Sequence, residues 1–419
     1  MVLAFLRKVS QKWAFWVLAD VLVFLVFALI AWRYYPAQSQ MESQIGLSVK
    51  ILDGQVPYVD FTSEYPPLAL LGYLLPALLF RSPMGYYIAF VIEMLLFDLL
   101  AISLITKISR RLGIPVAKAL TVHALVIVAV GPIMAVSYDI IPAVLVLAAV
   151  SLFISGRTNL AWAMVGLGLM TKLYPIVIIP FFFLYQLRQA QYKQIARGVI
   201  MFVVVTLALS LPWLLLNAKG FLSLFTFHLE RGLHSETTYG SVLLLGKILG
   251  LVQVEGVYSF GSWNLNSPPA DRLADVSFIL MAGLLGIVYL LYARCLLRGT
   301  RDKGDIVGLR PVASATLLQY VTAAVFIFIL FAKVFSVQYL LWLCPLLPLI
   351  TGRWQVPVYA CFLMAGAFSQ FVYPYHYQLF ELFTPSLIVM MAVRNLLLLA
   401  CGVFVLLPKE AGPYLKGPS

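Results

Sequence analysis

Apolar runs of about 20 residues recur along the whole chain, the first at residues 13–33, and this length is what an α-helix needs to cross a bilayer core of about 30 Å. In hydrocarbon every backbone polar group must be satisfied internally, so only helices and closed barrels span a membrane. No alternating barrel-strand pattern is present. With 62% hydrophobic and 11% charged residues, the 419-residue chain is therefore predicted to be an all-α integral membrane protein.

We expect a polytopic bundle of about 12 transmembrane helices in one domain, residues 1–419. The apolar segments lie at about 13–33, 84–106, 116–135, 139–155, 159–171, 174–187, 197–216, 273–294, 312–332, 337–350, 355–372 and 383–407. Two stretches between them are long, at about 34–83 and 217–272. Within the first, residues 68–80 are apolar but short, which predicts an interfacial or re-entrant helix.

The basic residues are unevenly distributed in this chain, whose net charge is +12. With the N-terminus inside, most of the 29 Lys and Arg residues fall at the cytoplasmic ends of the predicted helices. The positive-inside rule then predicts a multi-pass cell-membrane protein with both termini cytoplasmic and both long loops outside. The membrane topology thus accounts for the positive net charge, and we expect no nucleic-acid partner. The four cysteines lie in or beside apolar segments and indicate neither a disulfide framework nor a zinc motif.

The first long loop contains the polar segment Asp53-Gly-Gln-Val-Pro-Tyr-Val-Asp-Phe-Thr-Ser-Glu-Tyr-Pro-Pro67. Its glycine and prolines alone predict turns that carry solvated charges. Further polar residues interrupt the apolar pattern at four places: Tyr138-Asp-Ile-Ile-Pro142, Lys172-Leu-Tyr-Pro175, the stretch from His228 through Arg231 to Glu236, and Lys333-Val-Phe-Ser-Val-Gln-Tyr339.

Taken in order, these segments and a late Arg394-Asn395 pair resemble the pattern of glycosyltransferase family 87 (DUF2029), within the GT-C superfamily. That family comprises polyprenol-phosphate-mannose-dependent mannosyltransferases and bacterial relatives. The resemblance covers most of the chain. It implies transfer of a monosaccharide, with mannose expected, from a polyprenyl-phosphate donor on the extracytoplasmic face. The implied acceptor is a cell-envelope glycolipid, polysaccharide or protein, and no cofactor is implied.

Such a transfer needs a carboxylate base for the acceptor hydroxyl. The catalytic candidates are Asp60, Glu64 and Glu42. Family members often carry an aspartate just after the first helix, but here that register falls on Gln40, with Glu42 two residues later. Glu42 substitutes for it, or Asp60 or Glu64 takes the role, or the protein is catalytically altered.

The transfer also needs cations for the phosphate that leaves. The candidates for binding substrate are Tyr58, Asp139, Lys172, His228, Arg231, Glu236, Lys333 and Gln338. A lysine within a span costs roughly 2.5–3.5 kcal/mol, so Lys172 and Lys333 either snorkel to the interface or bind phosphate. Asp139 starts a helix, where N-terminal charge stabilisation is the simpler explanation. The first loop has no Asp-x-Asp, so a divalent metal site stays open but unsupported, and His123 is predicted to be a packing or interface residue.

Two other classes of protein fit the same hydropathy. A lipid or sugar transporter or flippase is the main alternative, although no internal repeat is evident and the carboxylates collect in the predicted external loops. The second alternative is a non-catalytic relative that binds a lipid-linked sugar, because Gln40 stands where family members often carry an aspartate.

Overall fold

The computed structural model describes residues 13–34, 37–298 and 308–407, and for residues 34 and 37–42 it describes the backbone alone. Most of these residues are helical. The helices of the first half are α1 (Trp13–Tyr34), α2 (Ala37–Leu52), α3 (Pro67–Leu79), α4 (Pro83–Leu112), α5 (Val116–Val130), α6 (Ile133–Val136), α7 (Ile140–Ile154), α8 (Thr158–Leu169), a 3₁₀ helix (Tyr174–Ile178) and α9 (Ile179–Arg188).

The second half combines long helices with three short strands. Its elements are α10 (Tyr192–Glu230), β1 (Leu233–His234), α11 (Thr238–Ile248), β2 (Glu255–Ser259), β3 (Ser262–Asn266), α12 (Pro268–Arg298), α13 (Pro311–Phe331), two 3₁₀ helices (Val337–Trp342 and Leu347–Leu349), α14 (Gln355–Gln370), a π-helical turn (Phe371–Tyr375), α15 (Tyr377–Glu381) and α16 (Pro385–Leu406).

The predicted polytopic helical fold is confirmed. Among the described residues, seven helices are long and apolar enough to cross a membrane, namely α1, α4, α10, α12, α13, α14 together with the π-helical turn that continues it, and α16. The five remaining predicted segments are also helical but shorter. For example, α7 has 15 residues and α8 has 12, so at 1.5 Å per residue each is shorter than the hydrocarbon core. Which side of the membrane each end faces stays a prediction.

The long helices differ in how much of their surface the protein covers. The most apolar window of α13 is 72% buried, whereas that of α10 is 6% buried. Because both helices are apolar, the difference identifies α13 as a central helix and α10 as a peripheral one whose apolar side chains face the lipid.

Helix α10 changes direction at Asn217, whose backbone has φ −155° and ψ 87°. The Asn217 side chain accepts a hydrogen bond from the Gly220 amide at 3.0 Å and donates one to the Tyr58 carbonyl at 3.0 Å. A Cβ atom at Gly220 would lie 1.9 Å from that carbonyl, so only glycine permits the approach. The break thus connects α10 to the first loop. The stretch predicted as the second external loop, 217–272, contains the end of α10, α11 and the strands.

The strands form one antiparallel sheet in the order β1-β3-β2, a small addition to the predicted all-helical fold. Leu233 pairs with Leu265, and the Ser235 amide donates to the Trp263 carbonyl at 3.0 Å. The His234 amide donates to the Lys333 carbonyl at 3.0 Å. The sheet therefore fixes the loop that follows α10 against the loop that follows α13.

Five loop segments meet at one end of the bundle, which we call the site end. They are the segment before α3, the turn before α7, the turn after α8, the loop after α10 and the loop after α13, at 53–66, 137–139, 170–173, 231–237 and 332–336. The Leu68 amide, for example, donates to the Met170 carbonyl at 2.9 Å. All five polar motifs quoted above lie in or beside these segments, and Arg394 donates a hydrogen bond to the Glu236 carbonyl from below them.

Candidate functional site

A buried ion pair joins Asp139 to Lys172. The Lys172 Nζ lies 2.6 Å from the Asp139 Oδ1, and Asp139 is 1% exposed. The same oxygen accepts a hydrogen bond from the Trp342 indole nitrogen at 2.7 Å, and Oδ2 accepts one from the Ser137 hydroxyl at 2.9 Å. Asp139 makes no side-chain cap to its own helix. Its carboxylate is thus occupied in holding Lys172 and Trp342, and helix capping does not explain it.

Aromatic rings surround the ammonium group of Lys172. The Nζ lies 4.9 Å from the centroids of the Tyr138 and Tyr339 rings and 5.4 Å from that of Trp342. Tyr339 and Trp342 stack at 4.1 Å, because residues three apart in a 3₁₀ helix lie on the same face. Ring faces attract a desolvated cation. The lysine is therefore held in place at the site end, with 19% of its side chain exposed.

Glu64 lies near cations contributed by two other segments. The charges of Arg231 and Lys172 both act on its carboxyl group, and its side chain also interacts with Tyr65. Burial nevertheless dominates and raises the pKa of Glu64 above its ordinary value. Among the ion pairs of the described residues, none joins Glu64 directly to Arg231 or Lys172. A half-buried carboxyl group thus faces two cations without being neutralised by direct contact.

Arg231 is the second cation of the site and is 8% exposed. Its Nε has no hydrogen-bond partner among the described residues. It follows the last residue of α10 and precedes β1, so a helix end and the sheet determine its position. His228, three residues earlier, interacts with the backbone of Glu64 and with the charges of Arg231, Lys172 and Lys333. The guanidinium is therefore buried beside Glu64 with an unused donor.

Lys333 lies at the edge of this group. Its Nζ donates to the Leu229 carbonyl at 2.6 Å, and the charge of Arg231 acts on it. Burial is the main reason why the pKa of Lys333 lies below its ordinary value. Lys333 thus contributes charge to the end of α10, where the helix carbonyls favour a cation.

Glu236, His234 and Arg394 form a layer behind Arg231. Arg394 is fully buried, donates to the Glu236 carbonyl at 2.8 Å and lies 4.1 Å from the ring centroid of Phe335. Burial raises the pKa of Glu236 to about 7, against the opposing effect of Arg394. Burial and Arg231 lower the pKa of His234 to about 3, so the ring is neutral. Its Nδ1 lies 2.6 Å from the Phe335 carbonyl. The structure places Glu236 where it supports the loop that carries Arg231.

The remaining predicted residues lie in other surroundings. Asp60 is exposed, and its Oδ2 accepts a hydrogen bond from the Val56 amide at 2.7 Å, which closes the turn. Tyr58 is buried with φ +64°, and its hydroxyl donates to the Tyr65 carbonyl at 2.5 Å. Gln338 is half-buried in the 3₁₀ helix after Lys333. The side chain of Glu42, like that of Gln40, lies outside the described residues.

The structure thus brings Glu64, Asp139, Lys172, His228 and Arg231 together, with Lys333 beside them. Sequence reasoning missed the part of Tyr339 and Trp342 in enclosing Lys172. The signal was available, because Tyr339 ends the quoted segment that begins at Lys333, and Trp342 follows three residues later.

Comparison with known proteins gives two findings. The model of glycosyltransferase family 87 matches residues 61–307, a range that includes Glu64 and Arg231 and excludes Asp60 and Lys333. This match confirms the resemblance given by the sequence motifs. Among solved structures, the chain is similar to the crystal structure of ArnT from Cupriavidus metallidurans bound to undecaprenyl phosphate, with 15% sequence identity, a TM-score of 0.48, and 93% of this chain and 76% of that chain covered. No curated protein matches the chain.

Proposed function

Because the chain belongs to glycosyltransferase family 87, we propose that this membrane glycosyltransferase transfers a single sugar from a polyprenyl phosphate to a cell-envelope acceptor. We propose mannose as the sugar and a glycolipid, polysaccharide or protein as the acceptor. The observation that carries the proposal is the position of Glu64, half-buried and facing Arg231 and Lys172 without a direct ion pair.

The cations of the site bind the donor phosphate. Arg231 has an unused buried donor, and guanidinium groups form charge-assisted hydrogen bonds with phosphate oxygens. Lys172 adds a second positive charge, held in place by Asp139. As the bond between the anomeric carbon and the phosphate oxygen breaks, the electron pair and negative charge move onto the phosphate. Fixed cations in a site that excludes water stabilise that charge.

Glu64 accepts the proton of the acceptor hydroxyl. The hydroxyl oxygen forms the new bond to the anomeric carbon as the phosphate leaves, and its proton passes to the Glu64 carboxylate. A carboxyl group whose pKa is raised by burial is a stronger base than an exposed one. A base on one face of the sugar and cations on the other correspond to a single displacement with inversion.

The proposal includes the orientation of the protein in the membrane. We propose that the site end faces away from the cytoplasm and that both termini are cytoplasmic, because basic residues collect at the other helix ends. The lipid chain of the donor lies along apolar helix surfaces in the bilayer, and its phosphate reaches the cations at the membrane surface.

The test uses proteoliposomes supplied with a radiolabelled polyprenyl-phosphate sugar. We expect Glu64→Gln to lower the transfer rate by about 10²–10⁴-fold, the range for loss of a general base. The matched control is Glu255→Gln, an exposed glutamate in β2, which keeps the wild-type rate. Asp60→Asn in the same assay distinguishes between the carboxylates of the first loop. A wild-type rate for Glu64→Gln refutes its role as the base, and movement of the donor across the bilayer without transfer supports a flippase.

A further inference from the structure

Three buried polar side chains from three membrane helices meet inside the bundle. They are Asp20 on α1, Asp98 on α4 and His123 on α5, with exposed fractions of 1%, 0% and 1%. Asp98 lies 15 residues after Pro83, which corresponds to about 22 Å along α4. The cluster therefore lies near the middle of α4 along the helix axis, and none of its members belongs to the site around Glu64.

The distances within this cluster suit a small cation. The Nε2 of His123 lies 3.0 Å from the Asp98 Oδ1 and 4.0 Å from the Asp20 Oδ1, and one ligand atom of each residue lies within 4.8 Å of the others. Zinc binds imidazole nitrogen and carboxylate oxygen at about 2.0–2.2 Å, so two ligands of a tetrahedral ion lie about 3.3 Å apart. The observed separations bracket that value.

Several polar atoms of the cluster have no partner. Among the described residues, neither oxygen of Asp20 has a hydrogen-bond partner, and neither has the Oδ2 of Asp98. The carboxyl groups of Asp20 and Asp98 lie within reach of each other. Buried carboxyl oxygens without partners are costly in hydrocarbon, and a divalent cation that binds them removes that cost.

The surroundings of His123 also suit a metal ligand. The Nε2 faces both carboxyl groups, and if that nitrogen binds a metal ion the ring proton is on Nδ1. That nitrogen makes no hydrogen bond of standard geometry, although the Cys344 backbone is close enough to interact with the ring. A backbone carbonyl beside the second ring nitrogen is usual for a metal-bound histidine. The Cys344 thiol itself donates to the Leu340 carbonyl at 3.4 Å.

We propose that Asp20, Asp98 and His123 bind one divalent transition-metal ion, of the zinc class, inside the membrane domain. Two carboxylates and an imidazole are the three protein ligands, and a tetrahedral ion keeps one further position for water. The ion connects α1 to α4 and α5. This proposal rests on the cluster alone and is independent of the proposed transfer reaction.

The first experiment uses the full-length wild-type protein in detergent. After treatment with a chelator, the protein is incubated with Zn²⁺ or with Mg²⁺ and passed over a desalting column, and its metal content and thermal stability are measured. We expect one zinc per chain and a Tm that rises with the Zn²⁺ concentration, because binding to the folded state stabilises it by mass action. Mg²⁺ prefers octahedral oxygen ligands and leaves the Tm unchanged. A wild-type protein that retains no zinc and whose Tm does not respond overturns the proposal in favour of a shared proton.

The second experiment assigns the ion to the cluster. We expect His123→Gln and Asp20→Asn each to abolish stoichiometric zinc binding while the protein elutes as a monodisperse species. The matched control is Glu93→Gln, which removes another carboxylate of α4 five residues before Asp98 and keeps the bound zinc. Stoichiometric zinc in both folded cluster variants contradicts the assignment. If neither variant folds, the wild-type titration alone decides.

Discussion

Replacement of Asp139 by asparagine tests how the site holds its lysine. The substitution keeps the shape of the side chain and removes the negative charge that faces Lys172 at 2.6 Å. It also weakens the acceptor of the Trp342 indole, at 2.7 Å. Removal of one partner of a fully buried pair costs about 3–5 kcal/mol. Because 19% of the Lys172 side chain is exposed and asparagine retains an acceptor, we expect the free energy of unfolding to fall by about 2–3 kcal/mol.

The assay is a double-mutant cycle on thermal unfolding in detergent. Asp139→Asn alone is expected to lower the Tm by roughly 3–5 °C, since the shift per kcal/mol decreases as chain length grows. Lys172→Met alone leaves the Asp139 carboxylate buried without its cation and costs about as much. The double variant is expected to cost no more than either single variant, because the pair is removed as a unit. Asp271→Asn, an exposed aspartate at the start of α12, is the control.

Two outcomes refute this reasoning. If the two single effects add in the double variant, the pair is not coupled. If Asp139→Asn leaves the Tm at the wild-type value, the carboxylate is not the group that compensates the charge of Lys172.

Three further outcomes follow from the site. Arg231→Gln is expected to weaken the binding of a polyprenyl phosphate by about 10–100-fold in a detergent titration, because a hydrogen bond to a charged group contributes about 1.5–3 kcal/mol. An unchanged affinity removes Arg231 from the phosphate site. The wild-type transfer rate is expected to rise as the pH passes through the pKa of Glu64, which burial raises, because only the carboxylate form accepts a proton. A transfer rate that does not change with pH above 4 contradicts that role. The pKa of His234 is about 3 in the folded protein against an ordinary value of 6.5, so below pH 6.5 the unfolded chain binds more protons and the free energy of unfolding decreases as the pH falls. We expect His234→Gln to remove this part of the pH dependence of stability. An unchanged pH dependence refutes the assignment.

The sequence predicted the helices well because hydrocarbon imposes a length and a composition on each apolar segment. It failed at the end of α10, which continues to Glu230 past Asn217. Beyond the membrane boundary the requirement for apolar residues ends, so hydropathy no longer shows whether the chain stays helical. The small sheet was missed for a related reason, since strands of two and five residues leave a weak pattern.

The sequence proposes the site residues but does not show which carboxylate of the first loop faces the cations, and their roles stay a prediction. The first-loop motif contains Asp60 and Glu64 only four positions apart, and spacing alone does not show which one faces inward. The structure exposes Asp60 and brings Glu64 to Arg231. His123 is predicted from the sequence to be a packing or interface residue, and the structure buries it beside Asp20 and Asp98. The sequence does not show this contact, because it depends on which helices are neighbours.

The most direct test of the account is a structure of the protein with a polyprenyl-phosphate sugar bound. We expect the phosphate within hydrogen-bonding distance of Arg231 and Lys172, and the anomeric carbon on the side that faces the Glu64 carboxylate. A phosphate bound at the opposite end of the bundle, near Arg110 and Arg111, or a sugar whose reactive carbon faces away from Glu64, would contradict the proposed site.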